Sequence, residues 1–363
     1  MAGRLETETG ITADGVDGFA TGTVEEFGLL AEHARALMLQ VDAAHEIVTL
    51  QQAALQIHEL VAKLHRAGCR VPPIAALVQA LNARLFERAW QMLAPPGLVS
   101  NSCLFVMGSE GRGEQILKTD QDNGLVLRDG IANDASVEEA CHLFADSVRA
   151  FGYPECAGGI MVSNPQWRQG VEDFSRTVSR WLIMPDAEGL MRLAIFLDAR
   201  AVCGDPALLE RVRSPIFELM AGSDAMLGRF AAAIDTFSRS SGWWNRWLPN
   251  ADQGKRTLDI KRLGFFPLVH GIRSLALESR VREVRTVGRI DALQAAGVLS
   301  PAMARDLVDS LHFLMEIKLK TGLAESGREP SASNNVRPDK LATLDRALLE
   351  ASLGVVKEFR VML

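Results

Sequence analysis

The sequence has little of what nucleic-acid-binding proteins use to hold their ligands. It contains one tyrosine in 363 residues, and aromatic residues make up 6% of the chain. Aromatic platforms for stacking single-stranded bases are therefore scarce. The net charge of -6 at pH 7 argues against broad binding to a polyanion. We do not expect nucleic acid to be a partner.

Cysteine is also scarce, since five cysteines are present and no two have Cys-x-x-Cys spacing. An odd number of scattered cysteines favours reduced thiols, which is typical of a cytoplasmic protein. The first twenty residues are acidic and have no apolar core, so we expect no signal peptide. The uncharged run from Ala89 to Ser109 is broken by Pro95-Pro96-Gly97, so we expect no transmembrane helix and no membrane partner.

What the sequence does contain is a pair of short apolar runs joined by a polar, glycine-rich loop, between Cys103 and Leu127. This pattern predicts a strand, a loop and a second strand. The loop begins with Gly108-Ser109, where the backbone can approach a phosphate closely and the hydroxyl can donate to it. It ends with Asp120-Gln121-Asp122.

Asp120 and Asp122 are two residues apart, and residues with that spacing on a strand point to the same face. We therefore expect their carboxylates to lie side by side. Adjacent carboxylates repel each other unless a cation lies between them, and Mg²⁺ prefers oxygen ligands. The pair predicts a site for Mg²⁺ (or Mn²⁺); a surface loop with two solvated aspartates is the alternative.

These motifs resemble the nucleotidyltransferase superfamily of the polymerase-beta type, whose signature is Gly-Ser followed by a spaced Asp-x-Asp. The segments Gly108–Gln115 and Thr119–Asn123 are most similar to nucleotidyltransferase domains akin to the amino-terminal region of the PII-protein uridylyltransferase. The likeness continues through Cys156-Ala-Gly-Gly-Ile-Met161 and Asn164-Pro-Gln-Trp167 to Gly204-Asp205. It covers the middle of the chain well and the remainder weakly.

The resemblance implies transfer of a nucleoside monophosphate from an NTP substrate to an acceptor hydroxyl. Asp120 and Asp122 are then the catalytic residues and metal ligands. Nucleotide-binding roles follow for a larger set: Gly108, Ser109, Arg112, Lys118, Thr119 and Lys261. The same resemblance implies a protein acceptor and a role in signal transduction, while the base of the NTP stays open.

A third carboxylate is also implied by the resemblance, but the matching region reads Glu155-Cys156-Ala157 and contains no aspartate. Glu155 or Asp198 is a candidate to replace it. For Asp198, an ion pair with Arg192 or Arg200 is the favoured interpretation. Without a third carboxylate, turnover would be weak or absent, so a regulatory module that binds NTP is the alternative function.

The pattern of apolar residues predicts an α+β protein in several parts. They are a disordered tail (1–23), a helical N-terminal region (24–95), a mixed α/β nucleotidyltransferase domain (98–205) and an all-helical C-terminal domain (206–363). Within the nucleotidyltransferase domain we predict a strand at Gly158–Val162 and a helix at Gln166–Met184. The helical regions are candidates for a homodimer interface.

Overall fold

The computed structural model describes residues 24–131, 133–184, 186–220, 223–239, 257–325 and 334–363, so the predicted tail lies outside the described residues. Contacts divide the chain into two compact units. The first contains Met1–Val171 and Arg200–Leu209, and the second contains Glu172–Ala199 and Glu210–Leu363. The α+β class is confirmed, with helices towards both ends and a small mixed sheet.

Three helices open the first unit: α1 (Val24–Asp42), α2 (Ile47–Arg66) and α3 (Val71–Leu93). Their apolar residues recur at three- and four-residue spacings and are buried, which confirms the predicted helical region. The prolines at 72 and 73 lie in the first turn of α3. Proline is tolerated in the first turn because the N–H groups there have no partner within the helix.

The first unit also contains a four-stranded sheet. The strands are β1 (Ser102–Val106), β2 (Asn123–Leu127), β3 (Arg168–Gly170) and β4 (Arg200–Gly204), in the spatial order β3-β2-β1-β4. β1 is antiparallel to β2 and β4, whereas β3 is parallel to β2. The register pairs Val106 with Asn123, so the chain leaving β1 and the chain entering β2 are neighbours.

The remaining helices are α4 (Gly108–Arg112), α5 (Ala135–Ala150), α6 (Val171–Ile183), α7 (Ala187–Phe196), α8 (Pro206–Met220), α9 (Asp224–Arg239), α10 (Phe266–Glu278), α11 (Thr286–Ala295), α12 (Pro301–Glu325) and α13 (Thr343–Met362). In the part of the C-terminal region that the structure describes, the helices are accompanied by a ribbon of β5 (Leu258–Asp259) and β6 (Asn335–Val336). Among the described helices, none combines the length and apolar character needed to cross a bilayer.

One predicted element of the central region is wrong, and a second begins later than predicted. Gly158–Val162 contains turn and bend residues but no strand, and Gly159 has a left-handed backbone with a φ of +66°. The helix predicted at Gln166–Met184 begins only at Val171, because Arg168–Gly170 pairs with β2 as β3. Pairing with a distant strand overrode the helical periodicity of this stretch.

Candidate functional site

A pocket in the first unit lies where β1 ends and β2 begins. Ser109, Asp120 and Asp122 all contribute to its wall. Polar side chains and buried aromatic rings complete the lining: Glu110, Gln115, Gln121, Asn123, Phe86, Phe144 and Tyr153, with Val106, Met107 and Val148. The structure therefore brings the Gly-Ser corner and the paired aspartates to one place.

The segment that carries the aspartates comes just before β2 and still continues the strand pairing. The N–H of Met107 donates to the carbonyl of Asp122 at 2.8 Å. Gln121 and Asn123 turn into the interior, where Nε2 of Gln121 donates to the carbonyl of Ala145 at 3.2 Å. Alternate side chains therefore face opposite ways, and the carboxylates of residues 120 and 122 lie close together as predicted.

The backbone of Gly108 lies directly beside the Asp122 carboxylate. Its φ is +59°, and a Cβ at this position would lie 2.6 Å from Oδ2 of Asp122. A side chain there would be strained and would also displace the carboxylate. The loop was predicted to be irregular, but Gly108–Arg112 forms the short helix α4.

Cys156 is the third member of the cluster, and sequence reasoning did not identify it as a candidate ligand. One ligand atom from each of Asp120, Asp122 and Cys156 lies within 4.8 Å of the others. Burial, followed by the charges of the two aspartates, raises the pKa of the thiol far above its ordinary value. Only the assembled fold reveals this neighbour, because it comes from a separate loop.

Neither predicted substitute for the third carboxylate belongs to this group of three. Glu155 has an exposed side chain and lies 3.7 Å from Nε of Arg149. Asp198 is completely buried in the second unit, where Arg273 and Arg289 both donate to it. An ion-paired structural role is therefore the interpretation that the contacts support for Asp198.

The partners expected for Asp198 were wrong, because both were chosen from nearby positions in the sequence. Arg192 pairs with Glu188 one helical turn earlier. Nε of Arg200 donates to the carbonyl of Gly111 at 2.7 Å, within the first unit. Arg200 thereby supports α4, the short helix that contains the Gly-Ser corner.

A buried hydrogen-bond network supports the pocket from behind. Nδ2 of Asn82 donates to Oε2 of Glu110 at 3.0 Å, and the hydroxyl of Tyr153 donates to Oδ1 of Asn82 at 2.7 Å. The Gln115 amide lies between Glu110 and the hydroxyl of Thr119. Burial raises the pKa of Glu110 to about 7, although the Asn82 hydrogen bond opposes the shift.

The other predicted nucleotide ligands lie in several environments. Nε of Arg112 pairs with Glu114 at 2.6 Å. Nζ of Lys118 donates to the carbonyl of Phe151 at 2.6 Å, and burial lowers its pKa to about 8. Lys261 lies in a π-helical turn of the second unit, at Lys261–Phe265. Their nucleotide-binding roles stay predictions.

The ligand atoms of Asp120, Asp122 and Cys156 suit a divalent cation. Two carboxylates supply the oxygen ligands that hard ions prefer, and a neighbouring thiol adds a softer donor. A side chain at position 108 would collide with Oδ2 of Asp122, so only glycine lets the backbone approach the carboxylate this closely. Asp120, Asp122 and Cys156 are the residues that would hold the ion.

Two family models match the chain. One, described as Putative nucleotidyltransferase DUF294, matches residues 55–188 and includes the pocket with its paired aspartates. The other, described as Putative nucleotidyltransferase substrate binding domain, matches residues 224–363 and includes the C-terminal helices. A comparison with curated proteins gives no match.

Proposed function

The chain belongs to this family of nucleotidyltransferases, and on that basis we propose that it transfers a nucleoside monophosphate from an NTP to a hydroxyl group on a protein. The observation that carries the proposal is that Ser109, Asp120 and Asp122 line one pocket. Groups that can donate hydrogen bonds to a phosphate would then lie next to a pair of carboxylates. Such a pair, with substrate phosphates, is the usual way that Mg²⁺ is held.

In the proposed reaction, the acceptor oxygen bonds to the α-phosphorus while the bond to the bridging oxygen of pyrophosphate breaks. Pyrophosphate leaves, and a carboxylate of the aspartate pair accepts the hydroxyl proton. A divalent ion between Asp120 and Asp122 would neutralise phosphate charge and lower the pKa of the attacking hydroxyl. The two aspartates orient the reacting groups in the pocket.

The Gly108-Ser109 corner would hold the β and γ phosphates, through the backbone amides and the Ser109 hydroxyl. Arg112 would neutralise charge that develops on the leaving group. Lys118 can contribute only if its ammonium leaves the Phe151 carbonyl, so we assign it a secondary role. Thr119 would fix the loop through Gln115.

A protein acceptor fits the acidic charge of the chain and its single tyrosine, which disfavour binding of RNA. By resemblance to the uridylyltransferases, UTP is the first nucleotide to test. The alternative function is a regulatory module that binds NTP with little turnover. One specific observation favours it, since Cys156 and not a carboxylate accompanies the two aspartates.

Binding of a non-hydrolysable NTP analogue with Mg²⁺ tests the site itself. We expect Asp120→Asn combined with Asp122→Asn to lose metal-dependent binding and to remain folded, because the pair is a ligand and not a core contact. Glu155→Gln is a matched control that removes an exposed carboxylate from the same region and should bind as the parent does. Parent-like binding by the double variant would show that the site is assigned to the wrong residues.

Incubation with α-phosphate-labelled NTPs and a host extract tests the reaction and its acceptor. We expect the label on a protein band that the double variant fails to produce. Label confined to RNA or to small metabolites would contradict the protein acceptor. Metal-dependent binding without any labelled product would instead support the regulatory module.

A further inference from the structure

The loop that carries Cys156 is attached to the aspartate segment on both sides of Asp122. The N–H of Gln121 donates to the carbonyl of Pro154 at 2.9 Å, and the N–H of Asn123 donates to the carbonyl of Ile160 at 3.1 Å. Oδ1 of Asn123 also accepts the N–H of Val162 at 2.8 Å. The position of the thiol is therefore set by backbone contacts with the same segment that positions the carboxylates.

The side chain of Cys156 is almost completely buried, with the residue 4% exposed, and its sulfur reaches the aspartate cluster. The neighbouring Glu155 lies on the surface beside Arg149. Since the chain offers a thiol here and directs the adjacent carboxylate away, the donor set of this cluster is two oxygens and one sulfur. That is a different set of donors from an all-carboxylate site.

Ligand type selects among divalent ions. Thiolate ligands favour Zn²⁺ and similar ions, whereas carboxylates and water suit Mg²⁺ and Mn²⁺. Three protein ligands with one open position is also the pattern of catalytic zinc sites, in which the open position takes water or substrate. A site with Asp120, Asp122 and Cys156 meets that description.

We propose that Cys156 is the third protein ligand of this metal centre and that it makes the centre bind Zn²⁺ or Co²⁺ in preference to Mg²⁺. The inference rests on the proposed metal site of the nucleotidyltransferase and specifies which ion that site selects. It also gives the cysteine a role that a buried apolar residue of similar size could not fill.

Titration of the full-length protein with Co²⁺, without nucleotide, tests the proposal directly. A sulfur-to-cobalt charge-transfer band should appear in the near ultraviolet at one equivalent, and Zn²⁺ but not excess Mg²⁺ should abolish it. Cys156→Ser should lose the band and weaken Co²⁺ binding at least about tenfold, since loss of even an outer partner of a ligand has that effect. Cys69→Ser is the control, because Cys69 is the partly exposed thiol among the five and should leave the band intact.

A second variant keeps the test independent of how Cys156→Ser folds. Cys156→Asp should convert the site to three carboxylates, lose the band and raise the affinity for Mg²⁺ relative to Co²⁺. Absence of the band in the unmutated protein would overturn the proposal, as would a band that persists in Cys156→Ser or in the Asp120→Asn, Asp122→Asn double variant. After any of these outcomes, Mg²⁺-dependent NTP binding that still required the aspartates would leave the proposed function standing. Only the thiolate ligand would then be rejected.

Discussion

In the second unit, the carboxylate of Asp198 is completely buried and receives hydrogen bonds from Arg273 and Arg289. In the first unit, Asp120 and Asp122 lie against each other and against a thiol. The first arrangement neutralises a buried negative charge, and the second concentrates negative charge at a pocket. The difference separates a carboxylate whose charge is neutralised within the fold from a pair of carboxylates that could bind a cation.

The surroundings of Asp198 extend this contrast. Nη2 of Arg289 donates to the carbonyl of Leu197 at 2.9 Å, so the Arg289 side chain attaches α11 to the end of α7 through a backbone carbonyl as well as through the Asp198 carboxylate. His270 lies beside Arg273, and burial lowers its pKa to about 3, which keeps the imidazole neutral. The aspartate therefore supplies the negative charge that the buried arginines need.

The largest stability effect is expected from breaking this ion pair. Asp198→Asn leaves two buried guanidinium groups without their negative partner, so the free energy of unfolding should fall by about 3–5 kcal/mol. Urea denaturation measures the loss. Asp205→Asn is the control, because Asp205 pairs with Arg128 near the surface and should cost at most about 1 kcal/mol. Equal losses in the two variants would contradict the structural role of Asp198.

An intermediate effect is expected at Glu110, which is buried like Asp198 but receives hydrogen bonds from neutral amides. Its pKa is about 7 when folded and 4.5 ordinarily, so the folded protein holds a proton that the unfolded chain releases. Stability should consequently fall as the pH rises through that interval and level off above it. Glu110→Gln cannot ionise and should remove about 2–3 kcal/mol of this pH dependence between about pH 5 and pH 8.

Denaturation of both proteins across that pH range measures the effect. Glu114→Gln is the control: Glu114 lies nearby but pairs with Arg112, so it should not reproduce the change in slope. Parallel stability curves for the parent and Glu110→Gln would show that Glu110 is ionised when folded. Its environment would then resemble that of Asp198 more than the structure indicates.

The sequence predicted the contacts that depend on local periodicity. Asp120 and Asp122 are close together because residues two apart on extended chain face the same way, and no tertiary information is needed for that. The helices of the N-terminal region followed from apolar spacing for the same reason. Ser109 lines the pocket because it lies only three residues after the end of β1.

Contacts between segments that are distant in the sequence could not be predicted from local periodicity. Cys156 meets the aspartates only because backbone hydrogen bonds attach its loop to residues 121 and 123. The partners of Asp198 come from α10 and α11, and local sequence favoured the wrong arginines. Nothing in the periodicity of Arg168–Gly170 shows that β2 offers it a parallel partner, so a helix was predicted there.

The smallest stability effect is expected from the aspartate pair, and its sign should be opposite to that at Asp198. Two like charges within 4.8 Å repel each other, so Asp120→Asn in EDTA should raise the free energy of unfolding by up to about 1 kcal/mol. This change leaves Asp122 and the neighbouring Cys156 thiol in place. The gain should disappear when Zn²⁺ or Mn²⁺ is added, because an ion that binds only the folded parent stabilises it by mass action.

Denaturation of both proteins, with and without metal, measures this reversal, and Glu155→Gln should show neither the gain nor its loss. A fall in stability for Asp120→Asn in EDTA would mean that its carboxylate is neutralised within the protein, as that of Asp198 is, and the contrast between the two sites would not hold.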